Sequence, residues 1–169
     1  VPSTAVDAEI ALISYAGKEF KAGSYQTLVP SALSVAADSR YKAGLSAKVS
    51  GKDLDLVTGA ALAGTALDFS YSEGVITFTI PAAAADGAIT LTLANGKTVD
   101  TEAIELVKPV ITAVAPAELY AGDENIKVTG ADLDLVVSAT LGGKPINIAE
   151  GASETKLELV TELTSVSGK

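Results

Sequence analysis

The sequence predicts an all-β protein made of two copies of one small sandwich, and three observations carry that prediction. The first is repetition. Lys48–Phe69 reads KVSGKDLDLVTGAALAGTALDF and Lys127–Ile148 reads KVTGADLDLVVSATLGGKPINI; aligned without a gap, half the positions are identical. The matched Gly51 and Gly130 set the period at 79 residues, longer than the roughly 20–50 of a solenoid repeat and long enough for each copy to bury its own core. The second is period-two alternation, clear in Val75–Ile80 and Ile89–Leu93, which puts one face of each segment inward. The third is the lack of a helical run. Only Pro81–Asp86 (PAAAAD) has helical propensity, and it is too short to stand alone, so it is read as one turn between strands.

Taken in order, the N-terminal segment 1–27 comes first. It is read either as an added hairpin, turning at Ala16-Gly17-Lys18, or as the end of a preceding copy, because Val6–Glu9 resembles Val99–Glu102. The first sandwich then spans 28–107. After Ile89–Leu93, the Asn95-Gly96 pair predicts a tight hairpin in which both central residues take positive φ, with a return strand over 101–107. The second unit, 108–169, opens on the strand Val110–Val114, ended by Pro116. Ala121-Gly122-Asp123 turns into the strand Asn125–Thr129. Leu133 and Leu135 are expected to point inward and Asp132 and Asp134 outward. Gly142-Gly143 makes a hairpin with Ile146 and Ile148 on its far arm, and Lys156–Val160 is a further strand. Nothing in this copy matches Ile89–Val107, so it is expected to lack its last strands.

Composition narrows function. There is no Cys and no His, so no disulfide framework, thiolate nucleophile, zinc-finger ligand set or imidazole base is available. Twelve basic against 21 acidic residues give a net charge of −9, a poor match to nucleic acid or anionic membranes. No apolar stretch approaches the ~18 residues of a membrane span. With no Met, Val1 is expected to be a processed or excised start. Alanine inflates the 48% hydrophobic fraction, so each core should confer modest stability, on the order of 5 kcal/mol.

A family resemblance rests on the second copy. Lys108-Pro109-Val110-Ile111-Thr112-Ala113-Val114-Ala115-Pro116, then Ala121-Gly122, Val128-Thr129-Gly130-Ala131-Asp132-Leu133 and Ala139-Thr140-Leu141-Gly142-Gly143 resemble an IPT/TIG immunoglobulin-like domain. The first copy keeps Val49–Leu54 and Ala61–Gly64, with Ala63 replacing the first hairpin glycine. The resemblance implies tandem immunoglobulin-like β-sandwiches over roughly residues 28–169. It also suggests the setting of cell-surface, outer-membrane lipoproteins of gut Bacteroidota, where such domains form the stalks of glycan-binding proteins.

Candidate sites are few. The pairs Asp53/Asp55 and Asp132/Asp134 offer hard oxygen ligands for Ca²⁺, against the plainer reading of leucine in and aspartate out beside a turn. Tyr71 with Glu73, or the group Tyr15, Phe20 and Tyr25, offer an aromatic platform for sugar C–H groups, against packing on a sheet or domain interface. Tyr41 and Tyr120 sit at matched positions and read as structural tyrosines. Glu102, Glu105, Glu158 and Glu162 read as solvated strand charges. With no nucleophile–base pair in view, no enzyme activity and no cofactor are expected. The expected role is a monomeric, non-catalytic, extracellular spacer or stalk. Direct binding of polysaccharide and adhesion to another surface protein are the alternatives. The short joint at Val107–Pro109, where Pro109 restricts both itself and Lys108, is expected to limit bending.

Overall fold

The computed structural model describes residues 5–116, 118 and 125–160. The chain is all-β, built of antiparallel sheets, and divides into two compact units, Val1–Leu106 and Val107–Lys169.

The first unit opens with a hairpin of β1 (Ala8–Ile13) and β2 (Glu19–Tyr25), turning where Gly17 N–H donates to Ser14 O and takes φ 76°. Two four-stranded sheets follow. One runs β3 (Ser31–Ala37), β4 (Ser46–Lys52), β8 (Val75–Thr79), β7 (Phe69–Ser72); the other runs β10 (Thr98–Asp100), β9 (Ile89–Leu93), β5 (Val57–Leu62), β6 (Thr65–Ala66). The period-two pattern explains their packing. Val49, Ile76 and Phe78 from one sheet and Leu62, Ile89 and Leu91 from the other form one buried cluster with Leu54, Ile80 and Ile104. Each such side chain contributes about 1.5–3 kcal/mol by leaving water. This is the sandwich the alternation predicts.

Two details differ from expectation. The Asn95-Gly96 turn has positive φ at Gly96 only. Gly96 N–H donates to Leu93 O and Leu93 N–H to Lys97 O, the three-residue hairpin in which a glycine in the left-handed region closes a bulge. Asn95 keeps negative φ because its Oδ1 accepts the Lys97 N–H at 3.1 Å. The tighter return starts the last strand at Thr98, paired with Thr92, so residues 101–106 are not the strand expected there. They cross instead as an extended segment held by a bridge between Gly87 and Ile104. Pro81–Asp86 does form a turn, with Ala84 N–H donating to Pro81 O.

The second unit is one five-stranded sheet among its described residues: β11 (Val110–Ala115), β12 (Asn125–Ala131), β15 (Lys156–Val160), β14 (Lys144–Ile148), β13 (Ala139–Leu141). β14 joins β13 through Lys144–Ile146 and β15 through Asn147 and Ile148. In the first unit this ribbon is broken. β6 pairs with β5, β7 pairs with β8, and the buried Leu67 lies between them, so the chain changes sheets there. Ile126, Val128, Leu133, Leu157 and Leu159 make the second core.

The repeated Asp-Leu-Asp-Leu motif is not a strand edge. In both copies it makes a short 3₁₀ turn, Leu54–Leu56 and Leu133–Leu135, entered by an aspartate in the left-handed region: Asp53 at φ 60° and Asp132 at φ 54°. Asp is among the residues that tolerate that conformation best. Leu54 and Leu133 are buried as expected, but Asp132 is buried too, at 6% exposure, rather than pointing outward. Tyr41 donates its hydroxyl to Val35 O at 2.9 Å and packs on the first core. Tyr120, the Ala121-Gly122-Asp123 turn and Glu162 lie outside the described residues.

Candidate functional site

The sequence-predicted site residues fall in separate places, with two meetings: Tyr25 with Asp55, and Asp132 with Asp134. Tyr71 is on β7, 45% exposed, and Glu73 is in the following turn at φ 50°. Tyr15 occupies the β1–β2 turn, fully exposed. Phe20 is on β2, and the Lys18 ammonium lies 5.5 Å from its ring centroid, so a cation already covers one ring face. Tyr25, at the end of β2, meets Asp55 from the first 3₁₀ turn: both line a cavity of about 440 Å³.

This cavity lies in the seam between the N-terminal segment and the first sandwich. Tyr25, Gln26, Thr27 and Leu28 form one wall, Asp55, Leu56 and Thr58 a second, and Leu93, Ala94 and Asn95 the end of the β9 hairpin. The seam is latched by polar groups. Asp7 Oδ1 accepts the Thr27 N–H at 2.7 Å and its hydroxyl at 2.9 Å, while Oδ2 accepts Lys97 Nζ at 2.6 Å. Asn95 Nδ2 donates to Ala5 O at 3.0 Å and Thr27 Oγ1 at 3.3 Å. The Lys97 ammonium first, then the two Thr27 donors, hold the Asp7 carboxyl at about 2, below its ordinary 3.8. Thr27 and Asn95 are therefore committed to the latch. Tyr25, Gln26 and Asp55 supply a phenol, an amide and a carboxylate to the same cavity. Gln26, Thr27 and Asn95 carry no sequence signal for a site; only the contact of a segment near residue 27 with a turn near residue 95 brings them together.

The two acidic pairs differ: Asp132 and Asp134 stay together, while Asp53 and Asp55 diverge. In the second unit the carboxylate oxygens of Asp132, Asp134 and Glu154 lie within 4.8 Å of one another, the only such group among the described residues. Glu154 arrives through register. Thr129 pairs with Lys156, and the Leu133 N–H donates to Glu154 O, so the loop before β15 closes over the 3₁₀ turn. In the first unit Asp53 is half-buried, and Asp55 faces the seam cavity instead. Three carboxylates at this spacing would favour a cation, and Ca²⁺ takes six to eight oxygens. A second cavity, of about 540 Å³, lies between β3 and the 102–105 segment with Glu102 and Glu105 on its rim.

No protein-family model matches the sequence, and no curated protein matches it. Solved structures do. SGBP-B from the mixed-linkage glucan utilization locus of Bacteroides ovatus, in complex with a mixed-linkage heptasaccharide, is 21% identical over 90% of this chain and 42% of its own, with a TM-score of 0.41. SGBP-B from a complex xyloglucan utilization locus in Bacteroides uniformis is 15% identical over 79% of this chain and 42% of its own, with a TM-score of 0.41. The surface glycan-binding protein PbSGBP-B of Prevotella bryantii is 11% identical over 80% and 37%, with a TM-score of 0.42. The chain thus spans about two-fifths of the length of these structures.

Proposed function

We propose that the chain is a non-catalytic segment of an extracellular surface protein, in which tandem immunoglobulin-like units of the IPT/TIG kind act as a spacer for a glycan-binding or adhesion function. The observation that carries this reading is the separation of the cores. Each unit closes on its own apolar cluster, and the division falls at Leu106/Val107, beside the restrictive Lys108-Pro109 pair. The complete absence of His and Cys removes the commonest acid–base and nucleophilic groups. Solution scattering tests the spacer: a narrow, rod-like distance distribution, broadened by Pro109→Gly, is expected. A compact globule insensitive to that change would sink the reading.

A second reading, direct carbohydrate binding by the first unit, is favoured by the seam cavity. Retention of the chain on insoluble polysaccharide supports it, and passage without delay over a broad set of neutral polysaccharides counts against it. Tyr71→Ala separates the exposed β7 platform from the seam, because it should leave retention unchanged if the seam does the binding.

A further inference from the structure

The seam cavity combines chemistry that a spacer does not use. Leu28, Leu56 and Leu93 make part of its wall apolar, while Tyr25, Gln26 and Asp55 bring polar groups to it. Among the described residues that line it there is no lysine or arginine but one carboxylate, so an anionic ligand would meet repulsion without compensation. A wholly apolar ligand would desolvate the amide and carboxylate with nothing to bond them, a cost of a few kcal/mol per group. A ligand with a C–H face and a hydroxyl edge satisfies both walls. An aromatic ring accepts the C–H face; a carboxylate accepts from two neighbouring hydroxyls, and a primary amide both donates and accepts. The volume also falls within the roughly 300–1,000 Å³ of small-molecule sites.

We propose that this cavity binds a short neutral oligosaccharide, with Tyr25 as the stacking platform and Gln26 and Asp55 as its hydroxyl partners. The approach to the cavity has the same character. Ala8, Ile10 and Leu12 alternate onto one face of the hairpin and pair with Tyr25, Gly23 and Phe20. That face is apolar, with Ile10, Leu12 and Phe20 each about half exposed, whereas Glu9 and Lys21 form an ion pair at 2.9 Å from alternate positions. From the Tyr25 pair to the Phe20 pair is four residues of β1, about 13 Å, a track for sugars beyond the one in the cavity. The Asp7–Lys97–Asn95 latch is a positioning device: it holds the Tyr25–Leu28 wall against the β9 hairpin.

This site rests on the carbohydrate-binding reading above, and the test keeps the two apart. Amide chemical shifts of the 169-residue chain are followed while adding cellotetraose, maltotetraose, xylotetraose and mannotetraose in turn. One or more should move the amides of residues 25–28, 55 and 95. The affinity should fall roughly tenfold or more, at least 1.4 kcal/mol, in Tyr25→Ala and in Asp55→Asn. Ala94→Leu, which fills the cavity from the exposed hairpin without altering the polar groups, should block binding even if Tyr25→Ala disturbs the hairpin. Shifts centred on Tyr71 would overturn this site and leave a carbohydrate binder. No shift with any of the four sugars at millimolar concentration would overturn both.

Discussion

Lys97 Nζ lies 2.6 Å from Asp7 Oδ2, across 90 residues of sequence, and this pair ties the N-terminal segment to the β9–β10 hairpin. The Asp7 carboxyl is held at about 2 by that ammonium and by the two Thr27 donors. A group with a depressed folded pKa adds stability that is present above its unfolded value, near 4, and is lost as pH falls through its folded value. The attachment of the hairpin should therefore weaken between about pH 4 and pH 2. Asp7 side-chain titration by NMR should show the low midpoint, and Asp7→Asn should flatten the acid dependence of hairpin amide protection. Because both side chains are partly exposed, at 30% and 42%, added salt should weaken the effect. An ordinary Asp7 midpoint would contradict the latch.

Gly51 and Gly130, whose match sets the repeat, are held by space rather than by turns. Both lie within strands and have ordinary φ. A Cβ on Gly51 would come within 2.9 Å of Ser31 O and 2.8 Å of Leu33 Cδ2; one on Gly130 would overlap the Val110 carbonyl. In each copy the irregular edge strand, β3 or β11, crosses directly over the glycine. Gly51→Ala should cost about 1–3 kcal/mol, and Gly130→Ala more, since its Cβ would press far deeper into backbone than one on Gly51 would into Ser31 O. Urea unfolding should show each change lowering the transition of its own unit.

Those glycines also show what could be read in advance. The repeat, the alternating strands and the burial of Leu54 and Leu133 were legible because a two-residue period and a matched motif are local signals. The role of Gly51 was not, since it depends on a strand some twenty residues earlier passing overhead. The burial of Asp132 was hidden for the same reason: it follows from Glu154 and β15 closing over the turn. Of the aromatics proposed as a sugar platform, Tyr25 lines the seam cavity, because its partners Asp55 and Asn95 are set by the packing of three segments. Nothing in the spacing distinguishes it from Tyr15 or Phe20.

The hairpin after β5 keeps an alanine where its counterpart after β13 has glycine. Ala63 sits at φ 46° and Gly142 at φ 59°, so both copies use the left-handed region at this position. An L residue pays about 1–2 kcal/mol there, while glycine costs about 0.5–1 kcal/mol in chain entropy. Ala63→Gly should therefore be neutral to stabilising by up to about 1 kcal/mol. Thermal unfolding checks the sign, and a fall in Tm would show that the Ala63 methyl is needed for packing.

Thr101 closes the first core with a side chain rather than with sheet pairing. Its Oγ1 accepts the Ile89 N–H at 3.0 Å and donates to Glu102 O at 2.9 Å, while its own N–H donates to Ile89 O. Ile89 is completely buried and Thr101 is 8% exposed. Removing the hydroxyl would strand a buried backbone donor, which costs about 1–3 kcal/mol. Thr101→Val, which keeps the shape, should lose that amount, whereas Thr101→Ser should lose only the methyl contact, about 1 kcal/mol or less. Equal losses in the two variants would assign the residue to packing. A larger loss in valine, with faster exchange of the Ile89 amide, would assign it to the hydrogen bond that holds β9 to the crossing segment 101–106.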